Sequence, residues 1–171
     1  GGFAEGFERS GYQSYLSADF DYWACETFKS RFKKSKVINE DITSDKFKTI
    51  LKKQTKGVKI EGVVAGLPCQ SFSSVGRAQD KFSMAKDKRN YFYKDFFECL
   101  KIIKPKFYVF ENVRGILSAK PNGTKIFDDI LNLSKKLGYV TLDNTSQMVF
   151  DTSEYGVPQV RKRIFRNLLM S

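Results

Sequence analysis

Short apolar runs alternate along this chain with segments of helical periodicity. That alternation restricts the fold more than any other feature. Gln13 to Ala18, Val37 to Asn39, Gly62 to Ala65 and Phe107 to Phe110 read as strands, the last two as buried ones. Between them, Asp21 to Phe32 places Tyr22, Cys25 and Phe28 at helical spacing, and Ser44 is set to N-cap a helix running to about Lys53. Tyr91 to Lys104 lines up Phe92, Phe96, Leu100 and Ile103 before Pro105 stops the helix. Phe3 to Ser10 and Thr124 to Leu137 read as further helices, the latter closed by Gly138. Tyr139 to Phe150 reads as extended with a break near Asn144, and Arg163 to Leu169 as a last strand. The pattern predicts an α/β fold, a mostly parallel sheet with helices on both faces. At 171 residues, without repeat or linker, one domain is expected over 1–171.

The bulk chemistry narrows the function. Lys plus Arg is 30 against 19 for Asp plus Glu, a net charge of +11 that favours a polyanionic partner, nucleic acid first. Lysines scattered over solvated faces would give the same total. Histidine is absent, which removes Cys-His and Ser-His-Asp catalysis and any histidine metal ligand. Three widely spaced cysteines, Cys25, Cys69 and Cys99, suit neither a disulfide framework nor a zinc site. A reducing, cytoplasmic setting is expected, and no metal. No apolar run approaches the roughly 20 residues of a membrane span.

In an open parallel sheet, ligands gather beyond the C-terminal ends of the strands. Asp19, Cys69 and Glu111 each follow a strand in this sequence. Cys69 comes directly after a proline and is surrounded by Gln70, Ser71 and Ser73, which suits an exposed nucleophile better than a core thiol. Cys25 and Cys99 fall inside helix patterns and read as core. The polar stretch from Leu67 to Lys88 is longer than most connections in compact domains, and such loops are usually functional.

Three segments carry a resemblance. Gly66-Leu67-Pro68-Cys69-Gln70-Ser71-Phe72-Ser73, then Phe110-Glu111-Asn112-Val113-Arg114, then Gln159-Val160-Arg161-Lys162-Arg163 stand in the order seen in DNA cytosine-5 methyltransferases. The chain resembles that family over nearly its whole length. The resemblance implies a three-layer, Rossmann-like, S-adenosylmethionine-dependent methyltransferase fold. It implies methyl transfer from S-adenosylmethionine to carbon 5 of a cytosine flipped out of double-stranded DNA. Cys69 would add to carbon 6 of the base, because a thiolate there raises electron density at carbon 5. Glu111 would hold the base by N3 and its exocyclic amine. Arg161 and Arg163 would approach the base and the thiol, a guanidinium lowering the thiol pKa. Asn112 would buttress the Pro68-Cys69 turn.

The same resemblance implies that Gln70, Ser71, Ser73 and Arg77 contact DNA from a catalytic loop. For the cofactor, Asp19 and Phe20 match the ribose and adenine positions. Asp41 and Ile42 match the pair flanking adenine. Gly2, Phe3, Pro68 and Phe92 complete the cofactor set. The family more often has glutamate at the Asp19 position, so a shorter reach is expected there.

The sequence also departs from the pattern. Of the family's Phe-x-Gly-x-Gly-Gly turn only Gly1, Gly2 and Phe3 match here, and by the resemblance this stretch is expected to lack the family's first strand and its target-recognition region. A truncated chain, a split enzyme with that region on a separate chain, and a permuted enzyme are the expectations this leaves. An RNA-directed relative and a non-catalytic nucleic-acid-binding remnant are the alternative functions.

Overall fold

The computed structural model describes residues 1–68, 88–121, 123–140 and 148–170. They form two compact units, Gly1–Lys56 and Gly57–Ser171.

The first unit alternates helix and strand in the order α1 (Gly2–Arg9), β1 (Leu16–Asp19), α2 (Tyr22–Arg31), β2 (Lys36–Asn39) and α3 (Asp45–Thr55). β1 and β2 pair in parallel, with Leu16 opposite Lys36 and Asp19 opposite Asn39. Parallel neighbours need a crossover, and α2 supplies it. Local chemistry sets both helix starts. Asp21 accepts from the Ala24 N–H at 2.7 Å and Ser44 from the Phe47 N–H at 3.0 Å, each satisfying a donor the helix cannot pair. Cys25, Phe32, Ile38, Phe47 and Leu51 are the buried side chains. The Phe28 and Phe32 rings lie 4.5 Å apart. Glu5 bridges Arg9 (2.9 Å) and Arg31 (2.7 Å), tying α1 to α2.

The second unit is built on β3 (Gly62–Gly66), α4 (Phe92–Ile103), β4 (Phe107–Asn112), α5 (Ile126–Lys136), β5 (Tyr139–Val140), β6 (Val149–Asp151) and β7 (Lys162–Met170). β3 and β4 are parallel, whereas β7 runs antiparallel to β4, β5 and β6. The sheet is therefore mixed: its parallel pair spans the α4 crossover, and the return strand β7 lies against β4. The expected final strand is present, one residue longer at each end.

Burial sets the layers. β3 is half-buried and β4 alternates, with Tyr108, Phe110 and Asn112 buried and Phe107, Val109 and Glu111 half-buried. The expectation of two fully buried strands is corrected here. The helices cover one face of β4, so period-two alternation decides which side chains enter the core. That face meets Phe96 and Phe97 of α4, whose rings stand 5.6 and 5.8 Å from the Tyr108 ring, and Tyr139 at 4.9 Å. Tyr108 is 0% exposed. Burying an aromatic of this size contributes about 2–3 kcal/mol. Its hydroxyl meets Ser134 Oγ of α5 at 2.6 Å, and Ser134 in turn donates to the Ile130 carbonyl. α4 ends at Lys104, which takes a left-handed conformation (φ 51°) before Pro105. The buried Tyr139 hydroxyl donates to the Pro105 carbonyl at 2.9 Å, and burial raises its pKa. No helix among the described residues is long and apolar enough to cross a membrane.

Candidate functional site

The strand register brings two of the sequence motifs together. Gly66, the last residue of β3, lies opposite Glu111 in the parallel β3·β4 pair. The chain at Leu67 and Pro68 thus leaves the sheet beside the strand end that carries Glu111. Cys69, Gln70, Ser71, Ser73 and Arg77 themselves lie outside the described residues. Pro68 is the last described residue before them and is half-buried.

The third motif reaches the same edge from β7. Glu111 is opposite Phe165, so Arg163 sits diagonally across on the same face. Arg163 Nε lies 3.0 Å from Glu111 Oε1, and the two side chains are only 20% and 22% exposed. A charge-assisted contact shielded to that degree orients the carboxylate more firmly than a solvated pair would. A second guanidinium nitrogen, Nη1, donates to the Lys162 carbonyl at 2.9 Å. Arg161 is not brought to Glu111: it precedes β7, and its side chain is exposed. Asn112 is 2% exposed, and its Oδ1 accepts from the Val113 N–H at 2.8 Å. That bond fixes the exit from β4 into the 3₁₀ turn Arg114–Leu117.

The sequence reading misses a support for the Gln159 to Arg163 motif. Asp151 is buried at the end of β6. Its Oδ1 accepts from the Ser153 N–H (3.2 Å), the Ser153 hydroxyl (2.9 Å) and the Arg161 N–H (3.2 Å). These hydrogen bonds, the Ser153 N–H foremost, hold its carboxyl below the usual range. The Thr152 hydroxyl donates to the Gln159 carbonyl, and the Thr152 N–H to the Arg161 carbonyl. The motif is pinned at both of these backbone positions before it enters β7. The run Asp151-Thr152-Ser153, a typical cap sequence, is the signal that could have found it. Beside it, Arg114, Val149, Asp151, Glu154 and Lys162 line a cleft of about 280 Å³.

In the first unit, Asp19 ends β1 and Asp41 follows β2, and the parallel register places both at one strand edge. Asp19 Oδ1 accepts from the Asp21 N–H at 3.0 Å. The backbone there is held by Asn39, whose Nδ2 donates to the Asp19 and Phe20 carbonyls at 3.1 and 2.9 Å. The buried Cys25 thiol, its pKa raised by burial, also donates to the Asp19 carbonyl at 3.4 Å. Phe20 then projects a ring that is 75% exposed. Asp41 is exposed and accepts from the Thr43 N–H at 2.8 Å, and Ile42 is half-buried. Asp19, Phe20, Asp41 and Ile42 therefore share this edge. Gly2 and Phe3 lie instead in the first turn of α1, where Gly2 lines a groove with Glu5, Trp23 and Arg31. Phe92 opens α4 in the second unit and is half-buried. Cys25 and Cys99 are buried core thiols, as their helical positions suggest. Among the described residues, no group of acidic or cysteine side chains is set to hold a metal.

Comparison with known proteins points one way. The family model for C-5 cytosine-specific DNA methylase matches residues 1–168. The chain is 37% identical over 166 residues to the type II methyltransferase M.DdeI of Desulfomicrobium norvegicum, covering 96% of this chain and 37% of that protein. It is 32% identical over 164 residues to M1.HphI of Haemophilus parahaemolyticus, covering 96% of this chain and 42% of that one. Among solved structures, a prophage-encoded E. coli protein described as a DNA modification methyltransferase superposes with a TM-score of 0.78 at 29% identity. That match covers 99% of this chain and 44% of the other. DNMT2 of Spodoptera frugiperda shares the fold, with a TM-score of 0.68 at 17% identity over 96% of this chain and 45% of that one. The chain thus spans less than half the length of these relatives. Its Rossmann-like methyltransferase fold, its ordered motifs and a family match from end to end agree: the chain belongs to the C-5 cytosine-specific DNA methylase family.

Proposed function

We propose that this chain carries catalytic and cofactor-binding parts of a DNA cytosine-5 methyltransferase, its two units serving one catalytic domain. The observation that supports this most is the register of the second unit. Gly66, just ahead of Pro68-Cys69, lies opposite Glu111, and Glu111 holds Arg163 at 3.0 Å. Gly66, Glu111 and Arg163, one residue from each of three motifs far apart in sequence, thus lie at one sheet edge.

In this reading the Cys69 thiolate adds to carbon 6 of a flipped cytosine, forming a C–S bond and pushing an electron pair toward carbon 5. Glu111 accepts from the exocyclic amine of the base and shares a proton with N3, and Arg163 keeps its carboxyl group in place. Arg161 serves the base or the thiol from the start of β7. Once carbon 5 carries the methyl group, its proton passes to water, the C5–H electron pair re-forms the C5–C6 double bond, and the C–S bond breaks to restore the Cys69 thiolate. Gln70, Ser71, Ser73 and Arg77 meet the DNA around the extruded base. Asn112 steadies the exit from β4.

S-adenosylmethionine, when bound, supplies the electrophilic methyl group. The first unit fits its adenosine part. A carboxylate at the end of a strand suits ribose hydroxyls, and Asp19 engages only Oδ1 among the described residues. The exposed Phe20 ring offers a stacking face to a purine. Asp41 suits an exocyclic amine and Ile42 an apolar ring face. Gly2, Phe3, Pro68 and Phe92 complete the proposed contacts. DNA in the cytoplasm is the proposed partner and place.

A duplex containing 5-fluorocytosine tests the proposal, because fluorine at carbon 5 cannot leave as a proton. With cofactor, a denaturant-resistant protein–DNA adduct is expected, and none with Cys69→Ala. An adduct that survives Cys69→Ala, or its absence from the parent protein, refutes the covalent mechanism. Preferred methylation of an RNA duplex would transfer the reading to an RNA-directed enzyme.

A further inference from the structure

The first unit is electrically polarised along its strands. One end, where β1 and β2 finish and α2 and α3 begin, gathers Asp19, Asp21, Glu40, Asp41 and Asp45. The opposite end gathers lysines. Lys33 and Lys34 lie in the turn between α2 and β2, and Lys36 opens β2. Lys52 and Lys53 occupy the last turn of α3, and Lys56 caps it. Side-chain contacts join these two lysine groups at one place. Lys36 Nζ donates to Gln54 Oε1 at 3.0 Å and to the Tyr15 hydroxyl at 2.9 Å, and that hydroxyl donates to the Gln54 carbonyl at 2.9 Å.

The ion pairs mark the difference between these cations and their neighbours. Lys29, Arg31 and Lys46 each hold a carboxylate. Among the described residues, none of Lys33, Lys34, Lys36, Lys52, Lys53 or Lys56 does, and all six are exposed. Lysines at a helix C-terminus complement its dipole, which accounts for Lys52, Lys53 and Lys56. The end of α2 accounts in the same way for Lys33 and Lys34, but neither dipole calls for Lys36 in β2, nor for six cations at one end without one carboxylate counter-charge among the described residues.

We propose that this lysine end is a second, sequence-independent contact for the phosphate backbone of duplex DNA, made by residues other than those proposed to modify the base. Charge complementarity selects the partner. Ammonium groups on flexible stems act as point charges, suited to phosphates and indifferent to base identity. Such a contact would retain the protein on DNA between encounters with target bases.

The test measures binding of the chain to a fluorescent duplex made only of A·T pairs, across a salt series. Without cytosine the proposed catalytic chemistry plays no part, so the two proposals fail separately. Replacing Lys33, Lys34, Lys52, Lys53 and Lys56 together by Gln should lower affinity at least about tenfold near 50 mM salt. It should also flatten the log–log salt slope by about 0.9 for each phosphate that the variant no longer neutralises. The matching Lys→Arg variant should bind as the parent does. A control replaces Lys101, Lys120, Lys125, Lys135 and Lys136 by Gln, removing equal charge elsewhere, and should weaken binding less. An unchanged slope in the first variant, an equal weakening in the control, or equally tight binding of an acidic peptide would overturn the proposal. Circular dichroism of each variant ensures that weaker binding is not unfolding.

Discussion

Arg163 Nε and Glu111 Oε1 stand 3.0 Å apart across the antiparallel β4·β7 pair, diagonal neighbours on one face of the sheet. Neither side chain is more than about a quarter exposed. The pair binds the end of one motif strand to the start of another. Arg163→Met should cost about 1–2 kcal/mol in denaturant unfolding, between the values of exposed and fully buried pairs. It should lower methyl transfer far more, on the order of 100-fold, by leaving Glu111 unpositioned. Arg163→Lys should recover most of the stability and little of the rate, since Lys lacks the planar fork. Equal losses in stability and rate would argue for a purely structural pair.

In the proposed cofactor site, replacing Phe20 should separate ligand binding from folding. Its ring is 75% exposed, so Phe20→Ala removes little buried area. The thermal midpoint should stay within about 2 °C, while the dissociation constant for S-adenosylmethionine rises roughly tenfold as stacking is removed. Calorimetric titration reads the second quantity, and unchanged affinity would remove Phe20 from the proposed cofactor site.

Asp151 should make stability sensitive to acid. Its folded pKa lies below the ordinary value of 3.8, so the folded chain takes up this proton less readily than the unfolded chain. The contribution is complete well above pH 3.8, fades as pH falls through that value, and vanishes below the folded pKa. Urea midpoints of the parent should drop more steeply than those of Asp151→Asn between about pH 5 and pH 3. Parallel curves would show that the carboxylate's charge is not what holds Ser153 and Arg161.

Tyr108 and Ser134 share a buried hydrogen bond, but their replacements should differ. Tyr108→Phe leaves Ser134 its bond to the Ile130 carbonyl, so a loss of about 1 kcal/mol is expected. Ser134→Ala takes from the buried Tyr108 hydroxyl the Ser134 Oγ that it meets at 2.6 Å, at a cost of about 1–3 kcal/mol. Chemical denaturation distinguishes the two, and the reverse order would mean another group satisfies the tyrosine.

Gly62 faces Phe107 in the β3·β4 register. A Cβ there would lie 2.2 Å from Phe107 Cζ and 2.4 Å from Cε2. Gly62→Ala should cost about 1–3 kcal/mol, and the double variant with Phe107→Ala should cost less than the sum of the singles. Strict additivity in that cycle would rule out the clash.

Much of this is legible in local residue patterns. Ser44, Pro105 and Gly138 mark helix ends that the structure keeps, because caps and breakers act through groups a few residues away. Phe96 and Leu100 show α4's buried face. The start of α5 is less legible: Thr124 is the expected opening, but the helix begins at Ile126 without a side-chain cap. Asp151 escapes a sequence reading because its role depends on Arg161, on the far side of a turn.

The first strand, expected from Gln13 to Ala18, instead spans Leu16–Asp19. Residue order alone is enough to give most helices and strands, the core cysteines and the three motifs that mark the family, since each is written in contiguous spacing and side-chain type. It could not reveal that β7 runs against β4, that only one face of β4 is buried, or that Glu111 closes on Arg163 while Arg161 turns outward. Those depend on strand direction and register. They are set by pairing and packing between distant segments, and a short apolar run is compatible with either direction and either face until its neighbour is in place.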